Sequence, residues 1–140
     1  MASSPAEAAR GDIPARYSRL IAVELSLDGK DAVVLLGTNE EPVLYPYLVI
    51  CHLESDGWHE GSGGSVGGFS WYALPDRSED VGVCIFTDEA PPGATQALIR
   101  SRGAERRIPV SHGYLLVAEW DISVAECEQW WPEVVSFDVR

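Results

Sequence analysis

Apolar and polar residues alternate at a period of two through much of this chain, most clearly over residues 43–54. The odd positions there (Val43, Tyr45, Tyr47, Val49, Cys51, Leu53) are all apolar, and the even ones turn polar only at His52 and Glu54. Successive side chains point to opposite faces of a strand. The pattern is therefore that of a strand with one face in a core and its first half buried on both faces. The same period recurs to the end of the chain, so a mostly β domain is expected.

Over 21–27, Ile21, Val23, Leu25 and Leu27 alternate with Ala22, Glu24 and Ser26. Asp28-Gly29 marks a tight hairpin turn, and 32–36 returns as a short apolar strand. Pro46 cannot donate to a ladder, which places that end at an edge or a bulge. Residues 55–68, centred on the Gly/Ser run 61–68, read as the main irregular loop. Phe69, Trp71 and Ala73 open another strand. Val81, Val83 and Ile85 face away from Gly82, Cys84 and Phe86, the pattern of a central strand.

Ser101-Arg102-Gly103-Ala104 reads as a hairpin turn between strands holding Ile99 and Ile108. Tyr114, Leu116, Ala118 and Trp120 alternate on the next strand. Ser123 and Glu126 have the spacing of a helix capping box, and Pro132 stops that helix after Trp130-Trp131. Val135, Phe137 and Val139 make a last strand. About eight or nine short strands with turn signals every 8–12 residues predict an all-β, antiparallel β-sandwich with one short helix before the last strand.

The 140 residues match one domain by length. Residues 1–17 lack a period and read as a mobile tail, with the domain over 18–140. The N-terminus has neither the basic start nor the apolar block of a secretory signal, and no apolar run approaches the roughly 20 residues of a membrane span. The expected setting is the cytoplasm. A net charge of −12 opposes binding to nucleic acid or to anionic membranes and favours a basic partner. Cys51, Cys84 and Cys127 are odd in number and widely spaced, so free buried thiols are expected.

The segment Ala90-Pro91-Pro92-Gly93-Ala94, followed by Ile108-Pro109-Val110-Ser111-His112-Gly113-Tyr114, resembles a pattern in uncharacterised actinobacterial β-sandwich domains. There a Gly-Ala turn leads into one strand and a Gly-aromatic pair opens the next. The resemblance covers about a third of the chain. It implies an immunoglobulin-like sandwich and no activity.

Few residues suggest chemistry. Gly63-Gly64-Ser65-Val66-Gly67 matches Gly-x-Ser-x-Gly, and Asp76, Asp80, Asp88 and His112 follow in the order of a hydrolase triad. That motif needs a strand before the serine and a helix after it, whereas a loop and a strand are expected here. No glycine run is followed by Lys-Ser/Thr, which excludes a phosphate loop. His52 and His59 flank Glu54 and Asp56. His52 and Glu54 share a strand face about 6–7 Å apart, so His52, Glu54 and His59 could hold one cation if His59 folds back. Arg100, Arg102, Arg106 and Arg107 gather on one hairpin tip, where guanidinium groups can take carboxylate or phosphate. Trp130 and Trp131 point about 100° apart on a helix, so one can fill a core and the other meet a partner.

These features read as a non-catalytic binding module without a cofactor. It would act on a protein partner, or on itself, through Arg100, Arg102, Arg106, Arg107, Trp130 and Trp131. The alternative is a metal-dependent enzyme or small-molecule binder using His52, Glu54 and His59.

Overall fold

Turn chemistry at Asp28-Gly29 closes the first hairpin of the computed structural model, which describes residues 2–11, 17–40, 42–43, 46–65, 68–75, 77–130 and 132–140. Gly29 takes φ 74°, and the Asp28 carboxylate accepts from Ser26 Oγ at 2.6 Å and from the Lys30 amide at 3.0 Å. The turn joins β1 (Arg19–Leu25) to β2 (Asp31–Gly37). β3 (Tyr47–Glu54) and β4 (Gly57–Ser65) continue the meander as a four-stranded antiparallel sheet, in the order β1-β2-β3-β4. Leu44 and Tyr45, expected at the start of the long strand, lie outside the described residues. The chain folds as two compact units, Met1–Val66 and Gly67–Arg140, where the sequence suggests one domain over 18–140.

In the first unit β2 is buried along its whole length. One face of β2 and β3, Val34, Leu36, Val49 and Cys51, packs against Ala8 and Ala9 of α1 (Pro5–Arg10). The expected mobile tail is thus corrected within Ala2–Gly11. Ser4 caps the helix by accepting from the Glu7 amide, Pro5 sits in the first turn where its missing N–H costs nothing, and Ala2 bridges to Trp58. Small alanines let the helix approach closely: the Pro5 carbonyl lies 3.5 Å from Cys51 Sγ.

The expected glycine-rich loop is also corrected, because most of it is β4, paired with β3 from Glu54↔Gly57 to Tyr47↔Ser65. Glycine is required by close approach rather than by looseness. A Cβ on Gly63 would stand 2.8 Å from the Leu48 carbonyl oxygen and 3.1 Å from the Tyr47 hydroxyl. Val66 and Gly67 lie outside the described residues.

The second unit is a sandwich of two three-stranded antiparallel sheets. One holds β5 (Gly68–Ala73), β6 (Val81–Glu89) and β9 (Tyr114–Ser123), with β6 central as its pattern predicts. The other holds β10 (Glu133–Val139), β7 (Ala94–Ser101) and β8 (Ala104–Pro109). Cys84, Ala97, Ile99, Ile108, Leu115 and Val117 form the core they share. The helix before the last strand is α2 (Val124–Glu128), and both halves of the Ser123/Glu126 capping box are present. It ends before Trp130, sooner than Pro132 alone would require.

Two of the three thiols expected to be free are joined: Cys84 of β6 and Cys127 of α2 form a disulfide with Cα atoms 5.5 Å apart. Cys51 remains a free, buried thiol. Among the described residues no helix is long and apolar enough to cross a membrane.

Candidate functional site

The β3–β4 hairpin gathers ionisable side chains because of its register. His52 lies opposite His59, and Glu54 opposite Gly57, which leaves Ser55 and Asp56 as the turn. Gly57 takes φ 130°, a conformation that other residues rarely adopt, and so permits this tight reversal. His59 Nε2 lies 2.6 Å from Asp56 Oδ1 and 3.2 Å from Glu54 Oε2. All three side chains are about half exposed. The Asp56 carboxylate, by hydrogen bonding, holds the His59 imidazole above its ordinary pKa, with the charges of Asp56 and Glu54 adding to it. The same bond pulls Asp56 down.

His52 takes a different partner. Its Nδ1 lies 2.9 Å from Oδ1 of Asp31, a fully buried carboxylate directly across from it on β2. The expected set His52, Glu54 and His59 therefore shares one sheet face, but the group that converges is Glu54, Asp56 and His59. Their ligand atoms all lie within 4.8 Å of one another. Period-two spacing could not select Asp56, because it sits in the turn and reaches His59 across a three-residue step.

On the other face of this sheet Cys51 lies under α1, and burial, with Glu60 adding to it, pushes its thiol up to about 12. It is not a nucleophile at neutral pH. Ser65 ends β4, so a strand does precede it, but the next described element is β5 rather than a helix. The nucleophile-elbow context is missing. Asp76 lies outside the described residues.

The arginine hairpin, β7–β8, forms as expected, and acids of its own unit face it. Arg100 lies 3.4 Å from both Glu105 and Glu133, and Arg107 lies 2.8 Å from Asp138. Arg102 reaches Glu119 at 3.2 Å and Glu126 at 3.6 Å. Arg106 donates to the Ala118 carbonyl at 3.2 Å. These exposed pairs contribute little stability, about 0–1 kcal/mol each, yet they neutralise the positive tip that the sequence displays. Arg102 also borders a shallow open depression with Ile122, Glu126, Gln129 and Trp130.

Trp130 is 4% exposed, donates to Ser101 Oγ at 2.5 Å and meets Phe69 edge-on at 5.8 Å. It belongs to the core. Trp131 lies outside the described residues.

The geometry thus defines an all-β chain whose reactive side chains are mostly held in pairs. No known protein family matches it, and neither does any curated protein or solved structure.

Proposed function

We propose that this protein is a non-catalytic binding module that acts through protein–protein contacts, taking an extended, basic segment of a partner as an added strand on β1. The observation that carries this reading is the outer strand itself. Among the described residues β1 ends its sheet and pairs only with β2. Val23, Leu25 and the following Leu27 are 39%, 52% and 95% exposed. A strand at a sheet edge offers backbone donors and acceptors to an incoming chain, and alternate apolar side chains supply specificity. The net charge of −12 favours a basic partner. The arginine tip is the weaker candidate, since acids of its own unit already face it.

Native mass spectrometry of the protein from its own host tests this. The wild-type protein is expected to carry a second protein mass, and Leu25→Lys/Leu27→Lys to lose it while keeping its circular dichroism spectrum. A partner retained by the variant, or a bare monomer at every concentration, sinks the reading. A homodimer lost in the same variant would make the partner a second copy. The cytoplasmic setting expected from the sequence and the Cys84–Cys127 bond make opposite demands on redox environment. Counting thiols in freshly extracted protein, one against three, separates them.

A further inference from the structure

We propose a binding site for a divalent first-row transition ion at the tip of the β3–β4 hairpin, with Glu54 Oε2, Asp56 Oδ1 and His59 Nε2 as its ligands. This goes beyond the protein-contact reading and is independent of it, since β1 is at the far side of the sheet from β4.

Three observations carry it. The first is the donor set: one imidazole nitrogen and two carboxylates, brought within 4.8 Å by a six-residue segment. Imidazole with carboxylate suits zinc, manganese, iron or cobalt, whereas calcium takes six to eight oxygens, more than this tip supplies. The second is preorganisation. Gly57 fixes the reversal and the β3–β4 ladder fixes both strands, so an ion would find its ligands placed rather than order them. Metal bonds of about 2.0–2.2 Å to each atom are compatible with the present separations of 2.6 and 3.2 Å, after a small opening of the tighter pair. The third is the row behind the tip. His52 stands directly across from His59 and has Nδ1 against the Asp31 carboxylate at 2.9 Å. His52 is thereby engaged with Asp31, which leaves the tip to Glu54, Asp56 and His59. Those three are the ligands, and His52 is not one of them.

An ion at His59 Nε2 takes the place of any proton held there against Asp56. Protonated His59 gives up H⁺ as the M²⁺–Nε2 bond forms, so no electron changes hands and binding weakens as pH falls. Three protein ligands leave positions for water.

The test is isothermal titration calorimetry of the full chain with Zn²⁺ alone in a non-coordinating buffer, paired with Mn²⁺ broadening of amide resonances. One equivalent is expected to bind, with broadening centred on residues 54–59. Asp56→Asn and His59→Ala are each expected to weaken binding by at least the roughly 10–100-fold that loss of a mere supporting hydrogen bond costs a site. Both side chains are about half exposed, and unchanged circular dichroism confirms folding. His52→Gln is expected to shift affinity by less than either. No binding overturns the proposal, as does binding that survives both substitutions. Loss in His52→Gln but not in Asp56→Asn would also overturn it, returning the site to His52, Glu54 and His59.

Discussion

Reduction of the Cys84–Cys127 disulfide should destabilise the second unit by an amount set by its place in the chain. The bond closes a loop across a sequence separation of 43 residues. Cross-linking removes conformations from the unfolded ensemble, and the chain-entropy relation for that separation comes to about 4 kcal/mol at 25 °C. Domains have only about 5–15 kcal/mol in total, so the loss brings the unit close to its threshold. Cys84→Ala/Cys127→Ala should cost more than reduction alone. Cys84 is 0% and Cys127 7% exposed, so the variant leaves sulfur-sized voids at about 1 kcal/mol each. Guanidinium denaturation with and without a phosphine reductant, followed by tryptophan fluorescence, measures both. The slope should also rise on reduction, because the freed unfolded chain exposes more surface. An unchanged midpoint with the bond shown intact beforehand would refute the loop-entropy reasoning. Three thiols titrating in unreduced, unfolded protein would refute the bond.

Trp130→Phe keeps a ring against Phe69 but strands the buried Ser101 hydroxyl, whose donor it removes. The expected cost is about 1–3 kcal/mol; a denaturation midpoint within error of wild type would show that Ser101 finds another partner. The Asp56–His59 pair gives a pH signature in the metal-free protein. His59 is raised above 6.5, so its contribution is complete below that value and is lost as pH rises through its folded pKa. Asp56 is lowered below 3.8, so its contribution is complete above that value and is lost as pH falls through its folded pKa. The pair therefore supports the hairpin most between those limits. An NMR titration should find His59 protonated at higher pH than a free histidine and returned toward 6.5 in Asp56→Asn; an unaltered His59 curve in that variant would remove Asp56 as the cause.

What could be read from the sequence depended on whether the deciding interaction was local. The strand holding Val81, Val83 and Ile85 declared itself central because both its faces are apolar, and β6 has a neighbour on each side. The Ser123/Glu126 box was legible because the cap is completed within four residues. Ser4-Pro5-Ala6-Glu7 has that same spacing, yet a helix of six residues carries too few apolar positions to show a period. β4 failed for the opposite reason: glycine has no side chain to alternate, and its pairing is dictated by the neighbouring strand, whose Leu48 carbonyl leaves no room for a Cβ at Gly63. At Gly63, composition that suggests looseness serves close approach.

The same division explains the two sites. Glu54, Asp56 and His59 lie within six residues, so strand geometry and one turn suffice to bring them near one another, and the sequence picks out two of the three. Cys84 and Cys127 meet only because a capping box aims a helix at a central strand 43 residues earlier. Each half of that encounter is visible in the sequence, and their conjunction is not. The arginines show the converse. Arg100, Arg102, Arg106 and Arg107 cluster in sequence, and Glu133, Glu119, Glu126 and Asp138 arrive from β10, β9 and α2 to meet three of them. The exposed apolar side chains of β1, Val23 and Leu25, show in the sequence only as alternation.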